Sequence, residues 1–223
     1  QSLSIPTDPL SGNQWHLINV GQEVGNPDYQ AIFATPGEDI NVAPVWNLGL
    51  TGSGVVVAVI DTGVQTSHPD LLANLHPTLE LNALDGGTDA NPNALDPAGA
   101  HGTAVAGLIG AVADNDLGGS GVAPGVQLVP IRLIPGFFDF VDPFFFEQST
   151  IDAFRYAIDE IDITNNSWGP AVTRGVAGPT FNEFLALRDS IIFGRTNPET
   201  GEDLGVIHVF ASGNNAGTTF DYG

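Results

Sequence analysis

The sequence predicts an α/β protein, a three-layer α/β/α sandwich with a parallel central sheet. Short apolar runs rich in β-branched residues alternate along the chain with longer segments whose apolar residues recur at helical spacing. This alternation predicts βαβ units with right-handed crossovers, which place helices on both faces of a parallel sheet. With 223 residues, 42% of them hydrophobic, the chain is long enough for one α/β domain of ordinary size or a large part of one.

The regular elements follow an irregular N-terminal arm. Residues 1–53 are rich in Pro, Gly, Asn and Asp, and we expect one short helix near residues 42–48. In residues 54–223 the predicted strands are 54–60, 126–133, 161–168 and 205–210, and the predicted helices are 101–113, 148–159 and 180–192. The β-branched run at 54–60 is typical of a strand that is buried on both faces. We interpret the phenylalanine-rich segment 137–149 as a loop that packs aromatic side chains on a helix, with a ligand groove as the alternative.

Composition excludes several classes of partner and site. The formal net charge of −21 results from 26 acidic residues against five arginines and no lysine, so the protein repels phosphate backbones and anionic membranes. We therefore expect no nucleic-acid partner and no membrane partner. Cysteine is absent, which excludes disulfides, a thiolate nucleophile and a cysteine zinc site. No run of 18 apolar residues occurs, and the start at Gln1 without a signal peptide suggests a mature or trimmed sequence.

The tripeptide Asp-Thr-Gly follows the strand at 54–60 and begins at Asp61. Aspartic proteases carry the same tripeptide, but they are built from β-strands and need two copies, because two carboxylates must share one proton. Here a single copy lies among strands that alternate with helices. The alternative is that Asp61 orients a histidine, because functional residues of open α/β sheets collect at the carboxyl ends of the strands.

Two further motifs supply a histidine that Asp61 could orient and an amide that could stabilise an oxyanion. His101 begins a predicted helix in HGTAVAG, whose small residues allow close packing on the sheet. Asn214 lies in ASGNNAG after the strand at 205–210, where its amide can donate to a developing oxyanion. Together these residues form a hydrolase site that lacks only its nucleophile. The structural alternatives are a turn residue at Asp61 or Asn214 and a mere helix-start residue at His101.

The motifs and their order resemble the subtilisin-like serine peptidases (subtilases), and most of all the kexin/furin-like branch and its bacterial relatives. The resemblance covers nearly the whole chain and includes PTDPL at 6–10, VVVAVIDTGVQTSHPDL at 55–71, HGTAVAGLIGAVADNDLGGSGVAP at 101–124 and NNSWGP at 165–170. It implies a subtilisin-like catalytic domain at 54–223, with 1–53 as its N-terminal arm. By this resemblance Asp61 is the triad aspartate, His101 the general base and Asn214 the oxyanion donor. The resemblance also implies a secreted or extracytoplasmic endopeptidase that acts on peptide or protein substrates.

The catalytic serine of the family has no counterpart in this sequence. In the family it stands in a Gly-Thr-Ser motif beyond the Asn motif, and the chain reaches Gly223 without such a motif. We therefore expect a chain truncated before the catalytic-serine helix, inactive alone, whose partner is the remaining C-terminal part of the catalytic domain. The alternative function is a non-catalytic module of the same fold that binds peptides or calcium.

The resemblance also assigns substrate contacts. An extended peptide would pair with the backbone at Ser167, Trp168 and Gly169. Kexin/furin-like enzymes hold basic substrate side chains with acidic residues, one directly after the triad aspartate and one shortly before the histidine. Those two places are occupied here by Thr62 and Ala98. We therefore expect no preference for cleavage after paired basic residues.

The resemblance further implies a calcium site made of oxygen ligands. Calcium takes six to eight oxygens, many of them from backbone carbonyls. The implied site joins the carboxylates of Asp8 and Asp70 to the side-chain oxygen of Asn115 and to three carbonyls of the loop 112–119, those of Val112, Leu117 and Gly119. A second candidate is the loop 82–93, with Asp85 or Asp89 and Asn91. At both places a solvated acidic loop is the alternative.

Overall fold

The computed structural model describes residues 5–24, 32–96, 99–136, 143–169 and 178–213. In chain order its helices and strands are α1 Ala43–Asn47, β1 Val56–Asp61, β2 Leu81–Asn82, α2 His101–Gly110, β3 Gln127–Arg132, α3 Pro143–Arg155, β4 Ile163–Asn166, α4 Phe181–Phe193 and β5 Ile207–Phe210. Two single-turn 3₁₀ helices lie at Ser11–Asn13 and Leu72–Asn74. None of the helices in the described part of the chain is both long and apolar enough to cross a membrane.

The predicted α/β class with a parallel sheet is confirmed, and the largest differences are an additional strand and an earlier start of one helix. The strand β2 was not predicted, because two residues are too few to show an alternating pattern. The helix α3 begins at Pro143, five residues before the predicted start. Proline favours the first turn of a helix, since its missing N–H has no acceptor there in any case. The described part of the phenylalanine-rich segment is therefore helix, while residues 137–142 lie outside the described residues.

The five strands form one sheet in the order β2-β3-β1-β4-β5. Strands β1 and β4 are parallel neighbours, with Val57 opposite Ile163 and Val59 opposite Asn165. Strand β5 extends the sheet in the same direction beyond β4 and is the edge of the sheet that the described residues form. Because parallel strands end at the same edge of a sheet, the residues that follow β1 and β4 emerge side by side.

The chain divides into two compact units. Unit 1 comprises Gln1–Gly54, Ser67–Asn74 and Ala106–Gln127, and unit 2 comprises Val55–Thr66, Leu75–Val105 and Leu128–Gly223. The small core of unit 1 contains Trp46, whose indole N–H donates to the Val122 carbonyl at 2.9 Å. The core of unit 2 includes side chains from β1, β3, α3 and α4, among them Ala58, Ile60, Val129, Ile131, Ile151, Phe154 and Ala186.

A chain of hydrogen bonds in unit 2 runs through His208 on β5. The amide of Asn166 donates to the Thr164 hydroxyl at 2.9 Å, and this hydroxyl lies 2.7 Å from His208 Nδ1. On the other side of the ring, Nε2 lies 2.8 Å from the Ser190 hydroxyl, which donates to the Leu187 carbonyl at 2.8 Å. Because the Ser190 hydroxyl gives its one hydrogen to Leu187, it accepts from Nε2–H, and in the neutral imidazole Nδ1 then accepts from the Thr164 hydroxyl. Burial lowers the pKa of His208, which favours the same neutral form.

We predict that the full-length protein loses stability as the pH falls below about 6.5, the ordinary pKa of histidine. The unfolded chain takes up a proton at His208 near that pH, whereas the folded chain takes it up only at lower pH, so acid favours unfolding. Thermal unfolding between pH 8 and pH 5 checks this: the Tm of His208→Gln should fall less than that of the wild type, with pH 8 as the baseline. Equal slopes for the two proteins, or an NMR titration of His208 at or above 6.5, would contradict the prediction.

Candidate active site

Asp61 is the last residue of β1, an interior strand of the sheet. Its side chain is 1% exposed. One carboxylate oxygen, Oδ1, accepts the backbone N–H of Thr62 at 2.7 Å. The other oxygen, Oδ2, is buried and has no hydrogen-bond partner among the described residues. The fold therefore holds a buried acceptor in a fixed orientation at the carboxyl end of the sheet.

His101 is the first residue of α2, and its ring meets this carboxylate. The distance from His101 Nδ1 to Asp61 Oδ1 is 2.7 Å. Because a carboxylate only accepts, Nδ1 is the donor, and in the neutral imidazole Nε2 keeps its lone pair. The imidazole is 53% exposed, although its partner is almost fully buried. A ring that is held on one side and open to solvent on the other has the arrangement of a general base with an orienting acid.

Two glycines allow the helix and the end of the strand to approach this closely. A Cβ on Gly102 would overlap the carbonyl oxygen of Gly63 and would lie 3.0 Å from the Cβ of Asp61. Gly63 has a φ of +104°, which side chains rarely adopt, and a Cβ there would lie 2.5 Å from the Ala90 carbonyl oxygen. The glycines after Asp-Thr and after His101 are therefore steric requirements of the Asp–His contact.

The predicted substrate-binding residues 167–169 directly follow β4, the neighbour of β1. Trp168 donates its indole N–H to the Ile60 carbonyl at 2.9 Å, and its ring stacks on Phe154 with centroids 6.3 Å apart. Gly169 is exposed, and a Cβ there would meet no atom of the described residues within 4 Å. The structure thus brings this segment beside the end of β1.

In unit 1 the two carboxylates of the predicted calcium site both contact Asn115. Asp8 accepts the backbone N–H groups of Asp114 and Asn115, each at 2.9 Å. Asp70 accepts the side-chain amide of Asn115 at 2.8 Å and the backbone N–H of Gly119 at 3.2 Å. Asp8 and Asp70, which lie 62 positions apart in the sequence, therefore both accept hydrogen bonds from the loop 112–119.

The remaining predicted ligands belong to this loop. The N–H of Val112 donates to the backbone carbonyl of Asp70 at 2.9 Å. The N–H of Leu117 donates to the side-chain oxygen of Asn115 at 2.8 Å. All six residues of the predicted calcium site therefore lie in unit 1, and each is joined to Asp8, Asp70 or Asn115 by a hydrogen bond.

The chemistry of these groups fits a calcium ion. Asp8 and Asp70 are 4% and 6% exposed, and neither pairs with a basic side chain among the described residues. Buried carboxylates without a compensating charge are unfavourable, and a hard cation bound by oxygens removes that cost. The described residues contain no group of three or more His, Cys, Asp or Glu that could hold a metal, so a cation here also needs amide and carbonyl oxygens.

The second candidate loop has a different arrangement. Asp85 accepts the Asn82 amide at 3.0 Å and the Gly87 N–H at 2.8 Å. Asp89 accepts the side-chain amide of Asn91 at 2.8 Å and its backbone N–H at 3.1 Å. These hydrogen bonds, with the side-chain bond as the larger cause, lower the pKa of Asp89. Each carboxylate is thus satisfied within its own turn, and none of the hydrogen bonds shown by the described residues joins the two.

The remaining residues predicted for the active site and its subsites are Asn214, Ala98 and Thr62. Asn214 and Ala98 lie outside the described residues, so the oxyanion donor and one subsite position stay predictions. From the sequence, Thr62 was interpreted only as a position where kexin/furin-like enzymes have an acidic residue. In the structure its hydroxyl lies 3.0 Å from the Gly99 carbonyl oxygen and 3.0 Å from the Gly102 nitrogen. No local pattern could have revealed these contacts, because their partners lie 37 and 40 positions away in the sequence.

Comparison with known proteins decides the family. The profile of the subtilase family matches residues 52–222. The chain belongs to the subtilase family. It is 34% identical over 225 residues to PC3-like endoprotease variant B of Hydra vulgaris, an alignment that covers 97% of this chain and 28% of that protein. It is 34% identical over 208 residues to neuroendocrine convertase 2 of Bos taurus, covering 92% of this chain and 29% of that protein.

Solved structures agree with this assignment. A serine protease of Aeromonas sobria matches this subtilase chain with a TM-score of 0.72 and 29% identity, covering 94% of this chain and 32% of the other. A protease from Pseudoalteromonas arctica matches with a TM-score of 0.63 and 25% identity, covering 95% and 60%. The predicted likeness to the kexin-like branch is confirmed. The chain spans less than a third of the length of these curated relatives.

Proposed function

We propose that this subtilase is a serine endopeptidase in which Asp61 and His101 are two members of an Asp-His-Ser triad. The observation that carries the proposal is the 2.7 Å contact between the buried carboxylate and the half-exposed imidazole at the end of an interior strand. An acid and a base held in this way perform proton transfer to and from a nucleophile. Membership of the subtilase family supports hydrolysis of peptide bonds as the reaction.

In this mechanism the serine hydroxyl attacks the peptide carbonyl carbon and His101 Nε2 takes the hydroxyl proton. Asp61 keeps Nδ1 protonated and stabilises the imidazolium that forms. His101 then gives the proton to the leaving amine, and the acyl-enzyme is hydrolysed by water with the same residue as base. Asn214 is our candidate for the donor to the oxyanion, an effect of about 10²–10³ in turnover for a donor of this kind.

The serine is supplied, in this proposal, by sequence beyond Gly223. Strand β5 is the edge of the sheet and exposes apolar side chains, with Ile207 56% exposed and Val209 50%. Helix α4 exposes more of them, namely Phe181, Phe184, Ile191, Ile192 and Phe193. Apolar surface of this extent on a strand edge and a helix favours further polypeptide packed against it. The greater length of the relatives supports the same partner, the remaining C-terminal part of the catalytic domain.

The substrate in this proposal is an extended peptide or protein segment. It pairs with the backbone at Ser167, Trp168 and Gly169, where the exposure of Gly169 supports an approach by another chain. Thr62 puts no negative charge beside Asp61, so we propose that basic side chains are not required. We further propose a secreted or extracytoplasmic location, which suits an endopeptidase stabilised by calcium.

We also propose one structural calcium ion in unit 1. Asp8 and Asp70 would hold it with the side-chain oxygen of Asn115 and the carbonyl oxygens of Val112, Leu117 and Gly119. The two buried carboxylates without a basic partner among the described residues support this site. The amide of Asn115 presents its nitrogen to Asp70, so binding through the oxygen requires this amide to turn over. The ion would supply positive charge and cross-links within the loop.

The first prediction from this proposal concerns the triad. In the full-length protein, His101→Ala and Asp61→Asn should each lower kcat by about 10³-fold or more, because they remove the base or its orienting acceptor. Hydrolysis of a peptide library and thermal unfolding measure activity and fold separately. Glu199→Gln, an exposed carboxyl on unit 2, is the control and should keep wild-type turnover. Near wild-type turnover in His101→Ala would rule out the triad assignment.

The second prediction concerns calcium. A ligand present at a free concentration of 100 times its Kd for the folded state adds about 2.7 kcal/mol to the free energy of unfolding. Removal of calcium with a chelator should therefore lower the Tm of the full-length protein by about 5–10 °C. Asp70→Ala should remove most of this response, because it deletes one of the two buried carboxylates. The exposed-site variant Glu199→Ala should keep it. An unchanged Tm in chelator, with no metal found by elemental analysis, would refute the site.

The third prediction concerns specificity. A basic side chain placed next to Thr62 loses water without gaining a partner charge, which is unfavourable. Cleavage of a peptide library by the full-length protein should therefore show no strong requirement for Arg or Lys at the two positions before the scissile bond. A strict dibasic requirement would show that acidic residues elsewhere form those subsites and that the inference from Thr62 is wrong.

A further inference from the structure

We propose that Thr62 is a positioning residue that holds the start of the helix carrying His101. The inference rests on the proposed function, because the residue acts through the proposed general base. Its hydroxyl donates to the Gly99 carbonyl oxygen at 3.0 Å and accepts the backbone N–H of Gly102 at 3.0 Å. A hydroxyl has one hydrogen to donate and lone pairs to accept, so both bonds form at the same time.

The two bonds enclose the catalytic histidine. Gly99 and Gly102 lie on either side of Ala100 and His101, so one side chain fixes both ends of the turn that leads into α2. The first N–H groups of a helix have no acceptor within the helix, and the Thr62 hydroxyl provides one for Gly102. Because Gly99 and Gly102 are both buried, water cannot easily replace this hydroxyl.

The backbone of Thr62 acts on the other member of the pair. Its N–H donates to Asp61 Oδ1 at 2.7 Å, the same oxygen that meets His101 Nδ1 at 2.7 Å. Thr62 thus orients the carboxylate through its main chain and the turn before His101 through its side chain. A small displacement of that turn would move the imidazole away from both the carboxylate and the nucleophile, and misplacement of reacting groups is costly in rate.

An acidic residue at position 62 could not make the same contacts. A carboxylate has no hydrogen to donate to the Gly99 carbonyl, and its charge would face that carbonyl oxygen across a hydrogen-bonding distance. Thr62 therefore does more than leave a basic substrate side chain without a partner. Its hydroxyl is committed to the turn, which leaves only its methyl group to contact substrate.

The test compares two variants in the full-length protein. Thr62→Val keeps the shape and removes the hydroxyl, and Thr62→Ser keeps the hydroxyl. We expect Thr62→Val to lower kcat by about tenfold or more with KM changed less than about twofold, because geometry at the base is lost while peptide binding is retained. Thr62→Ser should stay within about threefold of wild type in kcat. A kcat of Thr62→Val equal to wild type, or an equal loss in both variants, would overturn the proposal.

A second measurement does not depend on activity. Hydrogen exchange of the Gly102 amide should be about tenfold faster in Thr62→Val than in wild type and near wild type in Thr62→Ser, while amides of β1 keep their protection. Unchanged exchange at Gly102 in Thr62→Val would refute the contact. If wild type shows no peptidase activity, the proposed function fails, and the exchange measurement still decides the structural role of Thr62.

Discussion

The hydrogen bond between Asp61 and His101 is the contact around which the rest of the site is arranged. It forms only because an interior strand ends at the carboxylate and a helix begins at the imidazole. A charge-assisted bond of this kind is stronger than a neutral one when it is shielded from water, and Asp61 is almost fully buried. Burial of Asp61 also has an unfavourable contribution, because its second oxygen, Oδ2, has no hydrogen-bond partner among the described residues. Gly63 and Gly102 make the close approach sterically possible.

Electrostatics connects the remaining features of the chain. With 26 acidic residues and five arginines, few carboxylates can find a basic side chain. Asp8 and Asp70 are instead surrounded by N–H donors of one loop, which orders that loop but leaves their charges uncompensated. In our proposal a bound calcium ion compensates these charges, and the stability of unit 1 would then depend on the supply of calcium. Electrostatic repulsion within so acidic a protein would make this dependence stronger.

Strand β5 and helix α4 of unit 2 expose many apolar side chains. Exposed apolar side chains at a strand edge favour a chain that pairs and packs there. In the endopeptidase proposal, further sequence supplies both this cover and the nucleophile. A non-catalytic module of the same fold allows the same cover, so a Gly-Thr-Ser motif in that further sequence is what separates the two functional alternatives. The segment at Ser167 lies next to the same strand β5, because β4 pairs with β5.

Sequence alone was sufficient for the α/β class and for the order of the helices and the four longer strands, because periodicity is local. It also singled out Asp61 and His101, whose side chains the structure brings into contact, because their motifs are contiguous. It could not show the two-residue strand β2 or the start of α3 at Pro143, where too few residues carry a pattern. The ligand role of Asp8 and Asp70 and the role of Asn214 came from resemblance and stay predictions. The hydrogen bonds of the Thr62 hydroxyl were decided by tertiary structure alone. They depend on where the folded backbone places the Gly99 carbonyl and the Gly102 N–H, which lie about forty residues away in the sequence.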